Sequence, residues 1–360
     1  MTVKIKKSFV KALPRGSFIL LCLFLVFPAL AFCGKGEKRA AGENGVNGNG
    51  AGGNAASGKA GNNTGAVPVE RPELYWTIVQ EGGTGFVRDK NGFSVPLRTY
   101  ERIVLISPGA VESFYLIGAE DRIAAVSSSR DPVWPEEKTA LLPSIGNAAR
   151  PNMEAIVALE PDLVIGNAMS VSLAADLASR GYAVLVHGAD SMAEIFNNTR
   201  IIGRFTGKDD AAERLIQEKE GRLENLRREL AERPLTYKGT PLKGAFLYST
   251  SPIMAFTESS LPGEILSILG LANIAAGLNA AQPILSPEYI LAQDPDFLFG
   301  SMAITKAEDI LGADSVILQT RAGRERNIRF VPSSLFLRTS PRIVEGLLDM
   351  YGELAGFSDR

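Results

Sequence analysis

A motif of 14 residues occurs twice in this chain, as MEAIVALEPDLVIG at 153–166 and as PEYILAQDPDFLFG at 287–300. Aligned without gaps, the two copies share the pattern E-x-I-x-A-x-x-P-D-x-x-x-G. In each copy the apolar residues before the proline have helical spacing, the proline ends the helix, and the apolar run after it is typical of a buried strand. A repeated helix-strand unit predicts two lobes of similar α/β construction.

The segments around both copies extend this alternation of strands and helices. The runs RIVLIS, RIAAVS, YAVLVHG, KGAFLYS and NIRFVP are strand-like, and helix-like segments precede or follow them. The stretch TGFVRDKNGFSVPL predicts a hairpin about Asn91 and Gly92. Near-continuous apolar strands indicate a parallel sheet that is covered on both faces. We therefore predict an α/β fold of two lobes, each a mostly parallel sheet with helices on both faces, bridged by one long helix. That bridge has a potential joint near Gly207.

The N-terminus has the pattern of an export signal. Five basic residues and no acidic residue occur in residues 1–32, and the apolar run SFILLCLFLVFPALAF follows the basic stretch. The box Leu30-Ala31-Phe32-Cys33-Gly34 resembles a bacterial lipoprotein cleavage site, in which Cys33 is lipidated, although Phe32 is larger than the residue usual there. A signal peptide cut elsewhere, or an uncleaved anchor, is the alternative. The Gly- and Asn-rich segment that follows cannot bury much apolar surface and is predicted to be a flexible tether.

These observations predict five segments. Residues 1–32 are a signal peptide, 33–68 a tether, 69–190 an N-terminal α/β lobe, 191–235 an interdomain helix and 236–360 a C-terminal α/β lobe.

Residues that the chain lacks exclude several classes of function. His187 is the single histidine, and both cysteines, Cys22 and Cys33, precede the body, so the body has neither a disulfide framework nor a His/Cys metal centre. An all-carboxylate cation site stays open, but no motif indicates one. A nucleophile elbow and a phosphate-binding loop are missing from the folded part. Without its basic N-terminus the chain is acidic, which argues against nucleic acid as a partner. We predict a protein that is not an enzyme and that has no cofactor or metal of its own.

The body resembles the solute-binding proteins of ABC importers, in particular the class III family that binds cobalamin, ferric siderophores and haem and joins its lobes by a rigid helix. The resemblance runs from about residue 85 to the C-terminus. It rests on VRDKNGFSVPL, RIVLISPGAVESFYLIGAEDRIAAVS, PSIGNAARPNMEAIVALEPDLVIG, LSPEYILAQDPDFLFG and VPSSLFLRTSPRIVEGL. It implies a monomeric receptor that captures a siderophore, haem or cobalamin and delivers it to a membrane permease, as an exported protein, periplasmic or at the cell surface, held to a membrane by its lipid.

In that family each lobe presents one exposed glutamate to arginine clusters on the permease. The resemblance places these glutamates at Glu154 and Glu288, the second residue of each motif copy. One negative charge per lobe would orient the complex and speed encounter. The alternative is that each glutamate only complements the dipole of its own helix.

The ligand is expected between the lobes, at the carboxyl ends of the strands. The candidate ligand-binding residues are Ser107, Arg130, Trp134, Asn167, Tyr248, Phe256, Met302, Phe336 and Arg338. Aromatic rings could stack on a flat macrocycle, and the arginines could pair with an anionic group. Core packing is the alternative for each aromatic residue, and an ion pair is the alternative for Arg338. His187 and Tyr248 are also candidate haem ligands, with an ordinary structural role as the alternative.

Three other functions stay open: a receptor of the same fold for a small anionic solute, a sensor or scaffold lipoprotein without a transport role, and an α/β hydrolase or transferase.

Overall fold

The computed structural model describes residues 74–278, 280 and 282–358. All of them belong to one unit that spans residues 68–360. The signal, the tether and Cys33 lie outside the described residues.

A three-stranded antiparallel meander comes first, with β1 Trp76–Glu81, β2 Thr84–Asp89 and β3 Ser94–Pro96. The predicted hairpin is confirmed as β2 and β3, with Val87 opposite Val95 and Gly92 in the turn at φ 87°. Strand β1 was not predicted, because exposed residues dominate it and its apolar alternation is broken.

A six-stranded sheet forms the core of the first lobe. Its strands are β4 Ile103–Leu105, β5 Ile123–Ser128, β6 Ser144–Asn147, β7 Arg150–Pro151, β8 Leu163–Gly166 and β9 Val184–Val186. The order is β7-β6-β5-β4-β8-β9, and every pair is parallel except β6 with β7. The helices of this lobe are α1 Pro108–Leu116, α2 Glu136–Thr139, α3 Met153–Ala158 and α4 Val171–Ser179.

Two consecutive helices leave this lobe, α5 Met192–Thr206 and α6 Asp209–Glu232. The bridge is therefore not one unbroken helix over 191–235. Gly207 ends α5 in a left-handed conformation, with φ 67°. The 24-residue α6 then runs past both lobes: its Ala212 and Leu215 are in the core of the first lobe, whereas Leu223 and Leu226 are in the core of the second.

A second sheet forms the other lobe. After the small hairpin of β10 Thr236–Tyr237 and β11 Thr240–Pro241, its strands are β12 Lys243–Thr250, β13 Ile253–Ala255, β14 Ala272–Asn273, β15 Phe297–Gly300 and β16 Ile328–Phe330. The order is β13-β12-β15-β16, with β14 also on β12, and only β13 is antiparallel. The helices are α7 Leu261–Ile268, α8 Pro287–Gln293, α9 Ala307–Leu311, α10 Arg321–Arg324, α11 Ser333–Phe336 and α12 Ile343–Ser358.

Both sheets bury both faces, as the apolar runs predicted. In β4, Ile103 and Leu105 pack in one cluster while Val104 packs in the cluster on the opposite face. In β15, Phe297 and Phe299 face one cluster and Leu298 faces another. Because side chains alternate along a strand, only helices on both sides of the sheet can cover them. The predicted two-lobed α/β class is confirmed.

Candidate functional site

A cleft of about 830 Å³ lies between the lobes. The first lobe lines it with residues that follow β4, β5, β8 and β9, and the second lobe with residues that follow β15 and β16. Carboxyl ends of parallel strands leave backbone groups and loops free for binding, so this is the position expected for a ligand site. The lining residues are Tyr75, Ser107, Pro108, Gly109, Ser129, Arg130, Asp131, Asn167, Ala168, Met169, His187, Gly188, Ala189, Asp190, Met302, Ala303, Ser333, Ser334, Leu337, Arg338 and Thr339.

A buried hydroxyl-imidazole pair forms part of the cleft wall. The Oγ of Ser107 lies 3.0 Å from Nδ1 of His187, and the same Oγ accepts a hydrogen bond from the backbone N–H of Ala110 at the start of α1. Burial lowers the pKa of His187 to about 4, so the imidazole is neutral at pH 7. Its ring packs edge-on against Trp76 at 5.4 Å. This histidine therefore brings no charge to a ligand.

A buried ion-pair cluster joins the two lobes beside the cleft. Glu112 on α1 is fully buried and accepts hydrogen bonds from Nη1 of Arg338 at 3.0 Å and from Oγ of Ser340 at 2.6 Å. Nη1 of Arg342 lies 3.2 Å from the same carboxylate. Two cations and one hydroxyl from the second lobe thus compensate one carboxylate of the first, which holds the lobes together at this point.

The backbone of the two lobes is in direct contact at the same place. A Cβ built on Gly109 would lie 1.6 Å from the carbonyl oxygen of Arg338. The guanidinium of Arg338 also donates to the carbonyl oxygens of Asp131 and Pro132, both at 2.6 Å. Arg338 lines the cleft, but its donors are committed to this contact.

Five of the nine predicted ligand-binding residues line the cleft together: Ser107, Arg130, Asn167, Met302 and Arg338. Their roles differ. Ser107 caps the helix α1, whereas Asn167 caps the short 3-10 turn Ala168–Ser170 and accepts from the backbone N–H of Met169 at 2.9 Å. The side chain of Arg130 is 75% exposed, and Met302 is 47% exposed. These last two are the members of the set with free side-chain surface towards the cleft.

The other four predicted residues do not line the cleft, and each contacts another side chain instead. Phe336 is buried and contacts Phe246, with ring centroids 6.2 Å apart. Tyr248 and Phe256 contact each other at 4.8 Å. Trp134 lies under the guanidinium of Arg342, 5.0 Å from its ring centroid. Buried Phe336 has the packing role that was its alternative, whereas a ligand role for the partly exposed Tyr248, Phe256 and Trp134 stays a prediction.

Several cleft residues were missed by the sequence analysis, chiefly Tyr75, Asp131, Met169, Asp190 and Thr339. Tyr75 precedes a strand that was not predicted. Met169 and Asp190 lie two or more residues past β8 and β9, so extending the strand-end search by a few residues would have found them. Thr339 belongs to a segment whose position depends on the distant partner Glu112, for which the local sequence carries no signal.

Glu154 and Glu288 occupy equivalent positions in the two lobes. Each is exposed and lies in the first turn of its helix, α3 or α8. The predicted caps are present: Asn152 accepts from the backbone N–H of Ala155 at 3.1 Å, and Ser286 accepts from that of Tyr289 at 3.1 Å. Neither glutamate makes an ion pair with any described residue. Both carboxylates are therefore available to a partner.

In residues 74–278, 280 and 282–358, no group of three or more His, Cys, Asp or Glu side chains is placed to hold a metal ion. Over the same residues, none of the helices has the length and apolar content needed to cross a membrane.

Comparisons with known proteins agree with this geometry. A family model described as "Periplasmic binding protein" matches residues 103–335. A vitamin B12-binding protein of Vibrio cholerae is 27% identical over 205 residues, which cover 56% of this chain and 70% of the relative. An ABC transporter substrate-binding lipoprotein of Bacillus subtilis is 24% identical over 257 residues, which cover 69% of this chain and 78% of the relative. The structure of a periplasmic heme-binding protein from Roseiflexus sp. RS-1 aligns with a TM-score of 0.62 and 26% identity, over 72% of this chain and 99% of that one.

Proposed function

Because the chain belongs to the periplasmic binding protein family, we propose that it captures a metal chelate in the cleft between its lobes and delivers it to the permease of an ABC importer. The observation that carries the proposal is the cleft itself. Its 830 Å³ lies between two α/β lobes at the ends of parallel strands, which is room for a large ligand rather than for a single small ion. The relatives named for vitamin B12 and heme support a chelate as the ligand.

The chain acts by binding and release rather than by catalysis. Members of this family are transport components, and the one imidazole of the cleft is buried, neutral and hydrogen-bonded to Ser107. The protein is exported. Lipidation of Cys33, which would hold it to a membrane, is supported by the cleavage box and by the lipoprotein relative of Bacillus subtilis.

Delivery is proposed to use Glu154 and Glu288 as docking points for arginines of the permease. The support is geometric: one exposed, unpaired carboxylate stands at the same place in each lobe, at the start of a capped helix. Charges arranged in this way steer encounter and set orientation more than they add affinity. The contacts that join the lobes across α6 and Glu112 would keep the spacing of the two carboxylates constant.

Charge reversal tests this proposal. Glu154→Arg combined with Glu288→Arg should abolish chelate uptake in cells while the purified protein binds the chelate with unchanged affinity. The matched control is Glu220→Arg with Glu229→Arg, the same charge change at two exposed positions of α6; it should leave uptake intact. Normal uptake by the first variant would refute the docking role, and equal loss in both variants would show a mere effect of net charge.

A further inference from the structure

The charges that line the cleft cancel. Two lining residues are basic, Arg130 and Arg338, and two are acidic, Asp131 and Asp190. Each of them has a counter-charge nearby: Arg338 on buried Glu112 at 3.0 Å, Asp190 on Lys90 at 2.9 Å, and Arg130 near Asp131 at 3.7 Å.

Of the two arginines that line the cleft, Arg130 has free side-chain surface, but it lies 3.7 Å from the carboxylate of Asp131, so the lining side chains offer an anionic chelate no net positive charge. The other arginine, Arg338, donates its hydrogen bonds to Glu112 and to two backbone carbonyl groups. His187 is neutral and buried. Taking a multiply charged anion out of water without a partner cation is costly, so the charge balance disfavours such a ligand.

The most exposed large apolar side chains that line the cleft are two methionines, one from each lobe. Met169 follows β8 and is 66% exposed, and Met302 follows β15 and is 47% exposed. Both line the cleft. Thioether side chains are flexible and polarizable, so they fit irregular apolar surfaces, and they make favourable contacts with aromatic rings, often at the ring edge. Exposed apolar side chains that face one cavity from opposite sides are typical of a binding surface.

The backbone at Met302 adds a second observation. Its φ of 60° lies in the left-handed region, which an unbranched residue other than glycine, asparagine or aspartate adopts at a cost. Glycine would occupy this conformation without strain. Of the six described non-glycine residues with positive φ, Met302 and Thr339 line the cleft, and the strain at Met302 motivates a role for its side chain in the site.

We propose that the cleft selects a metal chelate without net charge and holds its apolar surface between Met169 and Met302. The inference rests on the proposed function and narrows the class of ligand. A corrinoid and a ferric trihydroxamate can both be without net charge, whereas a ferric tricatecholate is trianionic and haem carries two carboxylates. A corrinoid and a ferric trihydroxamate both fit the proposal, and a binding assay distinguishes between them.

The test is a titration of the purified protein with four probes: vitamin B12, a ferric trihydroxamate, a ferric tricatecholate and haem. At least one of the first two should bind about tenfold or more tightly than either anionic probe, with a Kd that does not change between low and high salt. Tighter binding of the tricatecholate or of haem would overturn the inference and leave the proposed function standing. Absence of binding to all four would overturn both.

Variants at the methionines test the contact itself. Met302→Gly should weaken binding of the preferred probe about tenfold while Tm stays equal or rises, because the substitution removes both the thioether and the backbone strain. Met302→Leu should retain most of the affinity. Met169→Ala should weaken binding by a similar factor, and Leu141→Ala, at an 84% exposed position that does not line the cleft, should not. Unchanged affinity in both methionine variants would refute the proposed contact.

Discussion

Glu112 is predicted to be the most sensitive charged position between the two lobes. Its side chain is fully buried and receives Arg338 at 3.0 Å, Arg342 at 3.2 Å and the hydroxyl of Ser340 at 2.6 Å. Glu112→Gln preserves the shape but leaves two guanidinium groups without their counter-charge, one of them in a side chain that is only 9% exposed. Removing one partner of a buried pair costs ~3–5 kcal/mol, which corresponds to a fall in Tm of roughly 10 °C for a chain of this size.

Thermal and urea unfolding of Glu112→Gln measure this loss directly. The control is Glu81→Gln, which removes a shorter ion pair, 2.6 Å from Arg88, at a position where both side chains are about half exposed. That pair should contribute less than ~1 kcal/mol. If Glu112→Gln costs no more than the control, the carboxylate does not hold the lobes together and the reasoning fails.

Three further predictions concern backbone contact, protonation and capping. Gly109→Ala should cost at least ~2 kcal/mol of unfolding free energy, because its Cβ would meet the carbonyl oxygen of Arg338; Gly221→Ala in the middle of α6, where a Cβ meets nothing within 4 Å, should instead stabilise by ~0.5–1 kcal/mol. Burial lowers the pKa of His187 to about 4, so between roughly pH 6.5 and pH 4 the unfolded chain binds a proton at this residue and the folded chain does not. As pH falls through this window, the wild type should therefore lose ~3 kcal/mol more unfolding free energy than His187→Gln. Parallel stability profiles of the two proteins, measured by urea unfolding, would contradict this. Ser286→Ala should cost ~1 kcal/mol by uncapping α8, and an unchanged Tm would show that the cap is dispensable.

The architecture was predictable because its signals are local. A strand buried on both faces must be apolar along its whole length, so β4 and β15 are visible as the runs Ile103–Leu105 and Phe297–Gly300. Helix limits followed from residue chemistry, with Asn152 and Ser286 as caps that the structure confirms. The meander strand β1 was missed because most of its residues are exposed.

The cleft was only partly predictable, because side-chain direction depends on distant partners. Ser107 and Met302 were found from their places just past strand ends. Phe336 also follows a strand, but the short helix α11 turns its ring inward onto Phe246. Arg338 was predicted to meet an anionic ligand, whereas its guanidinium pairs with the carboxylate of Glu112, 226 residues away in the sequence. No local pattern carries that information.

The measurement that tests the central claim most directly is native mass spectrometry, with an absorption spectrum, of the protein purified from its own host. A receptor for a metal chelate should carry one coloured chelate per chain, released on denaturation and restored when the chelate is added back. A protein that arrives without a chelate, and whose mass and spectrum do not change on incubation with vitamin B12, a ferric siderophore or haem, would contradict the account.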